Sequence, residues 1–279
     1  MHYLYLSYAL LGTNMLKHQT GIVVPTLGTR PDYLVESLQS IRNAGDAFTL
    51  IVTPRKEDIA SNLDPALYDQ IVAEPPGGLA AAIHHGITSL PEEIEYVNWL
   101  GDDDSLAPGS ITRCLHELQN HPSASLVYGM CEYIGPNNEP LWTNRSGKYA
   151  RWLMRCGPQL VPQPGSLFRR SFYNQVGGLN PIHKWAFDLD LLIKLSRVGR
   201  LHYTPHVLAS FRWHDGSLSV GGRDGSVSEA STIRRQNLPS MLKAPSVLWE
   251  WPIRQTILYA GKRVSRRSAN LTKLPFCHE

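Results

Sequence analysis

The chain has 279 residues, 42% hydrophobic and 18% charged, with no low-complexity tract and no internal repeat. That is length enough for one domain with a buried core, and the composition excludes a disordered, collagenous or disulfide-framed class. The net charge of +3 is unevenly spread: residues 234–279 carry nine Lys/Arg against two Glu, a net +7, and the body before them is mildly acidic. No nucleic-acid partner is expected for such a body, while the basic tail should have a role or partner of its own.

In chain order, residues 1–20 read as an N-terminal extension. The apolar run 3–11 lacks a positive n-region and is too short to span a bilayer, and Met15 is an alternative start. Residues 21–25 (Gly-Ile-Val-Val-Pro) form a short apolar run, as in a strand buried on both faces. Pro31 opens a helix with Leu34, Leu38 and Ile41 on one side, closed by Gly45. Strands are expected at 48–52 and 70–73. Gly77 and Gly78 lead into a helix with Leu79, Ile83, Ile87 and Leu90 in one stripe, and 96–100 is a fourth strand. Pro108 and Gly109 start another helix, and 125–134 returns as a strand.

Further on, 165–168 reads as a strand, 171–176 as a helix and 188–198 as a helix with Leu191, Leu195 and Val198 inward. The run 201–213 reads as a strand broken at Pro205, and Pro239, Pro245 and Pro252 limit the tail to short helices. Strand–helix alternation of this kind predicts an α/β fold with an open, mostly parallel central sheet flanked by helices on both faces. Cys114, Cys131, Cys156 and Cys277 lack CxxC spacing, which argues against a zinc site or disulfide framework and points to a reducing cytoplasm.

Ligands of such sheets bind at the carboxyl ends of the strands. One of those ends carries Leu100-Gly-Asp-Asp-Asp-Ser105. Carboxylates this close repel by about 1 kcal/mol per pair even in water. Asp102, Asp103 and Asp104 therefore form either a solvated acidic turn or a site for a hard divalent cation, Mn²⁺ or Mg²⁺. At another strand end stands Pro25-Thr-Leu-Gly-Thr-Arg-Pro31. It is either a plain turn or a nucleoside-binding loop using its backbone and Thr26, with Arg30 near phosphate. It has neither the glycine pattern of a dinucleotide fold nor a P-loop lysine. Asp188 and Asp190 sit in the first turn of a predicted helix. They are either dipole-stabilising caps or, beside Trp185 and Phe187, a carboxylate made more basic by an apolar wall. Arg212 and His214 alternate at a strand end, with Ser217 close by, which suits a joint phosphate or metal contact.

Taken together, and in chain order over 21–219, these segments resemble the family-two glycosyltransferases with the GT-A fold. The carrying residues are Val24 to Arg30, Gly78 to Ile87, Asn98 to Gly109, Ser166 to Arg170 with Val176 to Leu179, Phe187 to Leu191, and Arg212-Trp-His214 with Ser217. The resemblance implies one catalytic domain over 21–233, with a nucleotide-binding half at 21–109 and an acceptor half at 110–233, followed by the basic tail 234–279. It implies an inverting transfer from a nucleotide-diphospho-sugar donor to a glycan or glycolipid acceptor. Asp104, with Asp102 and Asp103, would hold the cation, and Pro25, Thr26, Leu27, Arg30, Gly78 and Ala82 would line the donor. Asp188 would be the base, Arg212, His214, Ser217 and Asp190 would lie on the diphosphate or acceptor side, and 166–170 with 176–179 would face the acceptor. The chain departs from the pattern at Thr53-Pro54-Arg55, at Ile83 and His84, and at Phe187. A nucleotidyltransferase, or an inactive relative serving as a scaffold, are the alternatives.

The tail interleaves its charges with Trp249, Trp251 and Tyr259. That mixture suits peripheral contact with the inner face of a membrane, or a helix packed on the domain.

Overall fold

The apolar runs of the first half form β1 (Thr20–Pro25), β2 (Phe48–Thr53), β3 (Gln70–Ala73) and β4 (Tyr96–Trp99), paired in parallel in the order β3-β2-β1-β4. Both faces of β1, β2 and β4 are covered. Ile22, Val24 and Ile51 point into one core with Leu34, Leu38 and Ile41 of α1 (Pro31–Ala44). Val23, Leu50 and Val52 point into the other, against Ile83 and Ile87. This double burial is why these strands read as mostly apolar runs. The short α2 (Lys56–Asn62) escapes sequence reading because Ile59 is its only buried residue. Next come α3 (Leu79–Ser89), which carries Ile83 and Ile87, and α4 (Ser110–Asn120).

This is a computed structural model that describes residues 18–145, 147–214, 216–217 and 221–271. The expected extension lies outside the described residues up to position 17, as do the tail beyond 271 and the end of the 21–219 resemblance at 218–219.

The second half adds β5 (Ser105–Leu106), β6 (Ala124–Ile134), β7 (Pro140–Asn144), β8 (Ser166–Arg169) and β9 (Arg200–Arg212). The full order is β3-β2-β1-β4-β8-β6-β9-β5, with β7 also on β6. β8 is antiparallel to β4 and β6, whereas the long β6 and β9 run parallel. The helices α5 (Ala150–Leu153), α6 (Arg170–Gln175), α7 (Phe187–Val198), α8 (Arg223–Asn237), α9 (Ser240–Lys243) and α10 (Val247–Leu271) complete the chain.

Two expectations about proline need correction. β9 is not broken at Pro205. Its register against β6 jumps between the pairs Tyr128↔Tyr203 and Met130↔Val207, so Pro205 sits in a bulge. Gly129 makes room for that bulge, since a Cβ there would lie 2.5 Å from the His206 carbonyl oxygen. The tail is not limited to short helices either, because α10 runs for 25 residues through Pro252. Pro252 stands near its start, where the missing N–H removes a single bond of the ladder. In addition, α8 crosses the 233/234 boundary that charge alone suggested, so the tail is continuous with the domain.

Among the described residues no helix is long and apolar enough to cross a membrane.

Candidate active site

The carboxyl ends of β1, β3 and β4 open into a cleft of about 770 Å³. Pro25, Thr26, Leu27, Arg30 and Ala82 line it, as do Asp102, Asp103 and Asp104. The triplet directly follows Leu100-Gly101 at the end of β4, and each carboxylate is held differently. The Thr26 hydroxyl donates to Asp102 Oδ2 at 2.6 Å, and Arg30 donates to Asp102 Oδ1 at 2.7 Å and to Asp103 Oδ2 at 2.8 Å. The Gly216 N–H points at His214 Nδ1 (3.1 Å), which leaves the ring proton on Nε2 to donate to Asp103 Oδ2 at 2.8 Å. Asp104 Oδ1 accepts the Arg212 backbone N–H at 3.0 Å.

The three carboxyls differ electrostatically as a result. Burial pushes Asp104 well above the ordinary carboxylate range, with Asp103 and Asp102 adding repulsion. Burial also raises Asp102, more than the hydrogen bonds from Thr26 and Arg30 lower it. For Asp103, burial is outweighed by His214 and Arg30, and its carboxyl lies below the usual range.

Two further oxygens of the triplet are candidates for a cation. A Cβ built on Gly101 would meet Asp103 Oδ1 at 2.9 Å and Asp104 Oδ2 at 3.0 Å, so these two oxygens close around the one residue that has no side chain. Hard oxygen donors of this kind suit Mn²⁺ or Mg²⁺. A second group of ligand type, Glu117, His121 and His202, lies towards the start of β9, whereas the acidic triplet packs against its end.

The same cleft is lined by Asp188 of α7 with Trp185, Ala186 and Phe187. Glu229 of α8 sets this segment by accepting the backbone N–H groups of Lys184, Trp185 and Ala186 at 2.9, 2.7 and 2.7 Å. Gln159 donates to Asp188 Oδ2 at 2.7 Å and the Leu189 N–H donates to Oδ1 at 2.8 Å, yet burial still raises the carboxyl above its ordinary value.

Several expected residues have other places. Arg212 is 1% exposed and does not reach the cleft. Its guanidinium donates to the carbonyls of Asp103, Gly135 and Pro136 and to Asn138 Oδ1, pairs with Glu36 and lies over the Tyr33 ring. It braces the acidic loop from beneath. Asp190 also turns away, 2.6 Å from Lys194 Nζ and 4.0 Å from His183. Gly78 caps α3 without lining the cleft, and Ser217 lines it while donating to the Arg212 carbonyl.

The stretch expected to face the acceptor is scaffold. Arg170 donates to the carbonyls of Ile87, Leu90, Pro91 and Ile94, and Gly178 packs on His84. The cleft is lined further by Pro158 to Pro164, Trp142 and the inner faces of α8 and α10. Glu74, directly after β3, adds a further carboxylate to the cleft. A carboxylate following a strand was its only sequence signal.

No family model matches the chain. It is 25% identical over 159 residues to an uncharacterized glycosyltransferase of Rickettsia conorii, covering 53% of this chain and 26% of that protein. It is 21% identical over 170 residues to the chondroitin synthase of Pasteurella multocida, covering 61% and 17%. The chain thus spans about a quarter or less of the length of these relatives. Among solved structures, a mannosyltransferase of Pyrobaculum calidifontis in complex with GDP-Man and Mn²⁺ superposes with a TM-score of 0.60 at 14% identity, covering 98% of this chain and 83% of that one. The parallel β1–β4 unit and the mixed second half are those of this fold. The chain has the GT-A fold and is similar in sequence to proteins named as glycosyltransferases.

Proposed function

We propose that the chain is an inverting glycosyltransferase using a nucleotide-diphospho-sugar donor and a glycan or glycolipid acceptor. The observation that carries this reading is that Asp188 and the three carboxylates Asp102, Asp103 and Asp104 line one cleft. Thr26, Leu27, Arg30, Ala82 and Glu74 would hold the nucleoside and diphosphate. Asp188 would take the proton of the acceptor hydroxyl as its oxygen attacks the anomeric carbon. The new carbon–oxygen bond forms opposite the breaking bond to the diphosphate, so configuration inverts. Asp103 and Asp104 would hold the divalent cation, which when bound neutralises charge on the departing diphosphate. Arg30, now paired with Asp102 and Asp103, is within the cleft to follow the phosphates. The GDP-Man and Mn²⁺ of the mannosyltransferase neighbour and the synthase names of the relatives support the reading.

The test is a panel of UDP-, GDP-, dTDP- and CMP-sugars with the full chain and Mn²⁺. Metal-dependent release of the nucleotide from one donor is the expected result. Neither binding nor turnover with any of them would overturn the proposal.

A second reading concerns the tail. The inner face of α10 (Ile257, Ala260, Gly261, Val264) walls the cleft, while Leu248, Trp251 and Tyr259 are 80, 66 and 63% exposed, followed by exposed Lys262, Arg263, Arg266 and Arg267. An outer face with rings before cations suits the surface of an anionic bilayer, where each Lys or Arg contributes about 1 kcal/mol. Truncation would remove the cleft wall, so the test keeps the chain whole. With these four residues changed to Glu, sedimentation with vesicles containing anionic lipid should be lost at low salt. Equal recovery of both proteins in the supernatant would remove the idea.

A further inference from the structure

The wall made by α8 and α10 is mostly small and apolar. From α8 it presents Val227 and Ala230, and from α10 Ile257, Ala260, Gly261 and Val264. On the same face of α8, about three helical turns apart, stand Arg223 and Arg234. Arg223 is held, with its guanidinium over the Trp213 ring at 4.9 Å and 3.3 Å from the Ser265 hydroxyl. Arg234 differs. It is 5% exposed, it lines the cleft, and its Nε has no hydrogen-bond partner among the described residues.

A buried guanidinium with an unused donor is costly unless an anion meets it. Glu250 acts on it electrostatically, but that carboxylate is bound by the neighbouring Arg235. No ion pair joins Arg234 to Glu250 among the described residues, and Glu250 Oε1 is likewise unpartnered. The Arg235–Glu250 pair engages that carboxylate at Oε2 and leaves the Arg234 Nε without a bonded anion among the described residues. Planar guanidinium groups suit carboxylate and phosphate, which accept two parallel N–H bonds.

We propose that the acceptor half of the cleft receives a negatively charged group of the acceptor, a carboxylate or a phosphate, on the Arg234 guanidinium. This rests on the glycosyltransferase reading and narrows its acceptor to an anionic one, either a uronate-bearing glycan or a phosphate-bearing carrier.

The test uses the full chain saturated with Mn²⁺ and the nucleotide diphosphate it binds, so that anionic probes cannot enter the donor half. Tryptophan emission from the cleft, lined by Trp185 and Trp213, reports binding of methyl glucuronide, glycerol 3-phosphate and neutral methyl glucoside. One anionic probe should bind at least tenfold more tightly than the glucoside, and which one it is separates the two acceptor chemistries. Arg234→Gln should lose at least tenfold in that affinity, Arg234→Lys less, with Mn²⁺-nucleotide binding unchanged in both. Glu250→Gln should hold the anion as tightly as the parent, or more so. Equal affinity for all three probes, no binding of either anion, or an unchanged anion affinity in Arg234→Gln would each overturn the proposal. A structural Arg234–Glu250 pair would instead make Arg234→Gln and Glu250→Gln lower the melting temperature together without touching probe selectivity. Failure of Mn²⁺-nucleotide binding by the parent protein would count against the enzyme reading itself, so the two are separable.

Discussion

Asp188→Asn is expected to cut turnover by roughly 10²- to 10⁴-fold while the affinity for donor barely changes, because only proton removal from the acceptor is lost. Asp190→Asn is the control. That carboxylate is turned to Lys194 and His183, so its loss should leave kcat within a few-fold. A larger effect at Asp190 would move the base to the other side of α7. Burial raises the Asp188 carboxyl, so the acid limb of the kcat profile should lie above the ordinary carboxylate range and vanish in the Asn variant. The sign for stability is opposite to that of an ion-paired Asp. A raised folded-state value favours the protonated form, so its contribution is present at low pH and is lost as pH rises through that value. At neutral pH the ionised Asp188 weakens the fold, and Asp188→Asn should leave the melting temperature unchanged or higher.

With Asp104→Ala, the dependence of nucleotide-diphosphate binding on Mn²⁺ should disappear, and chelator should have the same effect on the parent protein. Calorimetric titration with and without Mn²⁺ gives the measurement. The expected change is at least 10²-fold in apparent affinity, as for loss of a principal ligand to a hard cation. Asp104 also accepts the Arg212 N–H, so the Ala variant needs a partner that keeps this bond. Asp104→Asn retains an acceptor oxygen at that place and lowers the ligand charge. It should fold like the parent and still bind Mn²⁺ poorly. Full activity in excess chelator would sink the metal assignment.

Much of this architecture was legible because of how it is buried. β1, β2 and β4 are covered on both faces, which leaves mostly apolar runs, and the acidic triplet stands out because a strand runs straight into it. What was hidden has equally physical causes. Pro158 to Pro164 form a wall without periodicity, and α8 packs through Val227, Ala230 and Ile233, a stripe too thin to read as amphipathic. Pro252 looked like a stop but costs α10 one bond near its first turns. Arg212 was read with His214 as a pair facing a ligand, and the two do converge on Asp103. They do so from opposite sides: His214 takes the carboxylate, and Arg212 the carbonyl beneath it. Alternation along a strand gives a direction for each side chain, but not whether a guanidinium spends its donors on ligand or on loop carbonyls. The Thr53-Pro54-Arg55 departure has a counterpart in space, since Glu74 at the end of the neighbouring strand brings a carboxylate to the same rim.

The place of β8 in the sheet bears on how the chain is made. Synthesis delivers β1 to β4 first, and their parallel pairing with α1 and α3 uses contacts within one stretch of chain. The outer edge of β4, however, finds its partner only when residues 166–169 have emerged, and β6 gains β9 only after residue 200. Until then, open strand edges and the apolar face meant for α7 are presented to other chains, a setting for aggregation in any slow-folding parallel sheet. Arg30 and His214, 184 residues apart, meet on Asp103 only when the last strand closes. The loops after β1 and β4 are thus made well before the strand that completes their contacts, and refolding from denaturant should grow less efficient as protein concentration rises.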